Sequence, residues 1–79
     1  MMEIEKFVEN FADQFDDTDS DVFTPDTEYK HLDEWSSLNV LAIMNMIDKK
    51  YNVEIEHENL TELNTIRDLF EFVKSKVKN

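Results

Sequence analysis

At 79 residues the chain has room for one small domain with a modest core. Hydrophobic side chains make up 41% and charged ones 34%, a globular rather than a disordered balance, and 19 acids against 8 bases give a formal net charge of -11. That charge repels nucleic acid and anionic membranes and steers the chain toward basic protein surfaces, while the lack of cysteine excludes a disulfide framework and a thiolate zinc site.

With no glycine and one proline, few positions suit a positive φ, a tight hairpin or a phosphate-cradling glycine loop, so helices joined by polar linkers are expected. The N-terminus interleaves Glu3, Glu5 and Lys6 with apolar residues, unlike a signal peptide. No apolar run approaches the length of a bilayer span. The expectation is one soluble, cytoplasmic domain over residues 1–79, monomeric and without membrane insertion.

Ile4, Phe7, Val8, Phe11, Ala12 and Phe15 recur at helical spacing and predict an amphipathic helix from about residue 3 to about 15, with Glu5, Glu9, Asn10 and Asp13 toward water. Residues 16–36 read as a long linker. It opens with Asp16-Asp17-Thr18-Asp19-Ser20-Asp21, contains the helix breaker Pro25, and carries the apolar anchors Val22, Phe23, Tyr29, Leu32 and Trp35.

The second helix is expected over residues 37–51, with Ser36 as its N-cap. Val40, Ile43, Met44, Ile47 and Tyr51 form its core stripe, and Leu38, Leu41, Ala42, Asn45 and Lys49 lie on the other side. Two leucines on an outer face suggest a contact surface; alternatively Leu41 tucks into the core and Leu38 packs on the linker. Asn52-Val53-Glu54-Ile55-Glu56 alternates like a strand but is short and isolated, and reads as an extended loop anchored by Val53 and Ile55.

A short helix over 58–63 points Leu60 and Leu63 inward. Thr65-Ile66-Arg67-Asp68 is a capping-box variant that opens a last helix over 66–77, with Ile66, Leu69, Phe70, Val73 and Val77 as its stripe and lysines near its end. The fold class is all-α: a small four-helix bundle of three main helices and one short one.

His31 and His57 lie in polar loops, with nothing to set either beside a serine as a hydrolase requires. Asp17, Asp19, Asp21 and Glu28 fall at the first, third, fifth and twelfth places of a calcium loop. The sixth place, where such a loop turns on glycine, holds Val22, and Pro25 takes the ninth, so a solvated acidic loop is the better reading and no metal site is expected. Ser37 differs. A hydroxyl at a helix N-terminus sits beside unpaired backbone N–H groups and the positive end of the dipole, a favourable place for a phosphate, bound or covalently attached.

At these residues the chain resembles the acyl carrier proteins, whose signature is Asp-Ser-Leu opening the second helix, often after a Leu-x-x-Trp element. Leu32-Asp33-Glu34-Trp35-Ser36-Ser37-Leu38 stands in that place, and the similarity continues through Tyr51, Val53-Glu54-Ile55, Leu60, Leu63, Thr65-Ile66 and the Leu69, Phe70 and Val73 stripe. The resemblance implies a non-catalytic carrier with 4′-phosphopantetheine esterified to Ser37, its thiol holding acyl groups, and a cavity between the helices to shelter them. It also implies a phosphopantetheinyl transferase and acyl-loading and acyl-using enzymes as partners, docking on Leu38, Leu41, Ala42, Asn45 and Asp48.

Two departures stand out. Ser36 replaces the usual aspartate and sets a second hydroxyl beside the acceptor. The outer positions Asn39, Ala42, Asn45, Asp48 and Lys49 keep one acid, where the family docks through several. This favours a dedicated lipid, polyketide or peptide pathway over general fatty-acid biosynthesis. The rivals are an unmodified adaptor using the same face and a calcium-responsive acidic protein.

Overall fold

The computed structural model describes residues 3–77. Among these, four α-helices follow one another: α1 (Ile4–Ala12), α2 (Ser37–Tyr51), α3 (His57–Glu62) and α4 (Ile66–Lys76). There is no strand among the described residues, only an isolated antiparallel bridge between Glu28 and Thr65. The protein is an all-α bundle in which α1 packs on α2 and α4, and α3 lies against α2.

The apolar period of α1 runs to Phe15, but the helix stops at Ala12. The acidic run beyond it would sit at the negative end of the helix dipole. Two tighter i→i+3 bonds, Gln14 N–H to the Phe11 carbonyl and Phe15 N–H to the Ala12 carbonyl, wind the chain on so that Phe15 still turns inward. Asn10, expected toward water, is buried: its Nδ2 donates to the Tyr51 hydroxyl at 2.9 Å and its carbonyl accepts from Gln14 Nε2. A polar side chain tolerates burial when it is paired in this way.

The linker is ordered by its aromatic anchors and contains two 3₁₀ turns, Ser20–Val22 and Tyr29–His31. Phe11 meets Phe15, Phe23 and Tyr29, while Trp35 stacks on Phe15 and tilts against Tyr29 with ring centres 5.0 Å apart. These rings fill the space between α1 and the linker. Residues 25–28 are then knitted to the start of α4. Arg67 N–H donates to the Pro25 carbonyl at 2.7 Å, Ile66 N–H to the Thr27 carbonyl at 3.1 Å, and the Arg67 side chain meets Asp26.

Val53 and Ile55 anchor the extended segment between α2 and α3, both buried. With no glycine available, Asn52 takes the left-handed conformation that closes α2 (φ 56°), its N–H returning to the Asp48 carbonyl. The capping box that opens α4 is formed: Thr65 Oγ1 accepts from Asp68 N–H, and the Asp68 carboxylate accepts from Thr65 N–H.

Tyr29 is fully buried and donates its hydroxyl to the Leu60 carbonyl at 2.6 Å, within reach of the Leu63 carbonyl as well. Burial, and secondarily the charge of Asp68, push this phenol well above its ordinary range. The folded chain therefore holds the proton longer than the unfolded one. The stabilisation is full at neutral pH and declines as pH rises through the ordinary phenol range near about 10. Tyr29→Phe should cost about 1–3 kcal/mol, seen as a lower thermal midpoint, and should flatten the alkaline fall in stability.

Candidate functional site

The segment that enters α2 begins as a turn, with Trp35 N–H bonded to the Leu32 carbonyl at 3.0 Å. Ser36 is extended and occupies the N-cap position, its carbonyl accepting the first helical bond from Val40 N–H. Its side chain does not cap, contrary to expectation. The Ser36 hydroxyl donates instead to Asn39 Oδ1 at 2.8 Å, because Asn39 stands at the third helical position with its amide oxygen turned back. Among the described residues no side chain satisfies the first-turn N–H groups of α2, and that turn holds no acid. The positive end of the longest helix is thus left open to an anion. Ser37 is exposed at that end, and its hydroxyl has no partner among the described residues.

Two side chains whose contacts no local pattern marks, Glu34 and Asn39, flank this point. Glu34 accepts from the Asp16 and Asp17 N–H groups, each at 3.1 Å, and from the Thr18 hydroxyl at 2.7 Å. The Thr18 hydrogen bond, helped by the backbone donors, holds the Glu34 carboxyl below its ordinary range. These contacts are therefore complete at neutral pH and are released only as pH falls through that lowered value. Asn39, expected on the outer face, is buried and donates to the Gln14 carbonyl at 3.2 Å. Glu34 was hidden among 19 acids, and the burial of Asn39 depends on a partner 25 residues away.

The outer face of α2 is apolar at its start. Leu38 is 79% and Leu41 62% exposed, so Leu41 does not tuck into the core and Leu38 does not pack away on the linker. Asn45 and Asp48 are exposed on this helix and Ala42 is half-buried. The inner face is broader than expected. Met46 is buried beside Val40, Ile43 and Ile47, whereas Met44 and Tyr51 are only half-buried. A helix that touches both α1 and α3 is covered over more than one stripe.

The calcium register does not assemble. Asp19 uses its carboxylate to cap the first 3₁₀ turn through Asp21 N–H, and Glu28 lies beyond that turn at the bridge to Thr65. Among the described residues no three metal-ligating side chains converge. His31 and His57 are exposed on separate elements, one in the linker and one opening α3. An open depression of about 590 Å³ lies beside the Leu32–Trp35 turn, lined by Asp17, Thr18, Asp19, His31 and Glu34 among others. Val22 and Leu32 give it apolar walls beside these acids, while aromatic rings fill the space between α1 and the linker.

The entry to α2 fits a phosphate-linked group, since an exposed hydroxyl stands at an uncapped helix N-terminus with no neighbouring acid in the turn. No helix among the described residues is long and apolar enough to cross a membrane. Neither a curated protein nor a solved structure matches the chain. The family model described as phosphopantetheine attachment site matches residues 5–73, from α1 to the last turns of α4. On that match, which spans all four helices, the chain belongs to the phosphopantetheine-attachment family as a carrier domain of the acyl-carrier-protein type, with 4′-phosphopantetheine as its covalent cofactor.

Proposed function

We propose that Ser37 is the attachment residue and that the chain holds acyl intermediates as thioesters for a dedicated lipid, polyketide or peptide-type pathway. One observation carries the assignment of the serine. Of the two adjacent hydroxyls, that of Ser36 is engaged by Asn39, while that of Ser37 takes no partner among the described residues at the uncapped end of α2. The attached group supplies the thiol that this cysteine-free chain lacks. The protein's own part is to present the serine, receive the phosphodiester at first-turn N–H groups, and offer a surface for partners.

That surface is the outer face of α2: Leu38 and Leu41 as apolar contacts, with Ala42, Asn45 and Asp48 beside them. With one acid among these positions, docking leans on the leucines rather than on electrostatic steering, which supports partners other than those of general fatty-acid synthesis. The partners are a phosphopantetheinyl transferase and the enzymes that load and use the acyl group. The 79 residues serve as one carrier unit in the cytoplasm, a substrate of other enzymes rather than a catalyst.

Incubation with coenzyme A and a broad-specificity phosphopantetheinyl transferase tests the assignment. Intact mass should rise by one phosphopantetheine unit, and fragmentation should place it on Ser37. A group mapped to Ser36, or no gain with several transferases, would contradict it.

A further inference from the structure

Ser37 sits between two grips on one distant segment. Upstream, the Glu34 carboxylate holds residues 16–18 through two backbone N–H groups and the Thr18 hydroxyl. Downstream, Asn39 donates to the Gln14 carbonyl at 3.2 Å while its oxygen holds the Ser36 hydroxyl at 2.8 Å. Both grips close on the stretch that leaves α1, and the partners lie 16 to 25 residues apart in sequence. Neither is part of the α2 backbone ladder, which starts from the Ser36 carbonyl without them.

We propose that Glu34 and Asn39 are positioning residues for cofactor attachment, which fix where Ser37 Oγ stands and keep the Ser36 hydroxyl occupied. The proposal rests on Ser37 being the acceptor. In the transfer, Ser37 Oγ forms the new O–P bond to the phosphopantetheine phosphorus of coenzyme A. The P–O bond to the nucleotide breaks, 3′,5′-adenosine diphosphate leaves with its electron pair, and the serine proton passes to the transferase. Such an in-line attack depends on where the nucleophile is held.

The first turn of a helix is also where the chain frays most readily, since its N–H groups have no intrahelical partner. A clamp at Glu34 before that turn and another at Asn39 within it limit this freedom. The grips touch neither Leu38 nor Leu41, and the α2 backbone ladder, which starts from the Ser36 carbonyl without them, still carries both leucines on the outer face. Their loss therefore falls on the chemical step.

The test is the attachment rate of the full chain with coenzyme A and transferase, comparing wild type with Glu34→Ala, Asn39→Ala, the double variant and Glu34→Gln. The double variant should lose kcat on the order of ten- to a hundredfold with KM unchanged, the scale expected of a misplaced reacting group. Glu34→Gln should recover part of the loss of Glu34→Ala, because its amide oxygen still accepts. Amide hydrogen exchange should quicken at Asp16 and Asp17, whose N–H groups Glu34 accepts, while α4 keeps its protection. An unchanged kcat in the double variant, or a loss carried by KM alone, overturns the positioning role while leaving Ser37 as acceptor. No mass gain in the wild type overturns both.

Discussion

Ser37→Ala should fold like the wild type, keep its helical signal and thermal midpoint, and gain no mass with coenzyme A and transferase. Ser36→Ala should still gain one phosphopantetheine unit. The first outcome follows because Ser37 is exposed and its hydroxyl takes no partner among the described residues, so its removal costs the fold almost nothing and the helix still starts from the Ser36 carbonyl. Alanine is also a good helix former at that position. The second follows because Ser36 contributes its backbone, not its hydroxyl, to the start of α2. Loss of function should be complete in one variant and mild in its neighbour. A mass gain that survives Ser37→Ala and disappears with Ser36→Ala would reverse the assignment.

Phe11→Ala carries the largest expected loss of stability. Phe11 is fully buried and its ring meets those of Phe15, Phe23 and Tyr29, with centres 5.5 to 6.1 Å apart. Truncation opens a void among rings that belong to both α1 and the linker. The expected cost is about 3–5 kcal/mol, large against the roughly 5–15 kcal/mol that holds a small domain folded. The midpoint of urea unfolding should fall steeply while the slope of the transition stays the same. A loss below about 1 kcal/mol would mean that the linker collapses into the void, at odds with anchors tied down by hydrogen bonds.

Helical period made most of the bundle legible. Ile66, Leu69, Phe70 and Val73 are buried on one face of α4, and the Thr65–Asp68 capping box that opens it follows from local spacing alone. Such signals are complete within one turn of chain. What escaped reading depends on partners far away in sequence. Asn10 and Asn39 read as solvated amides until Tyr51 and the Gln14 carbonyl arrive to pair with them. Glu34 looked like one more surface acid, since nothing local marks the donors of residues 16–18 as its own. Met46 was missed for a different reason: a single stripe describes a helix with one neighbour, and α2 has two.

The knitting of residues 25–28 to the start of α4 bears on how the chain reaches its fold. The Arg67–Asp26 pair spans 41 residues. Closing a loop of that size costs entropy before any contact rewards it, and proteins rich in such distant pairings fold more slowly than those built from local ones. This bundle should therefore fold more slowly than its helical content alone implies. During synthesis, residues 65–67 leave the ribosome after α1, α2 and α3, so the linker waits for the last quarter of the chain before it is seated. Until then the Pro25 and Thr27 carbonyls lack the Arg67 and Ile66 donors, and the newborn chain seats the rings of Phe23 and Tyr29 on α1 before it secures the linker that carries them.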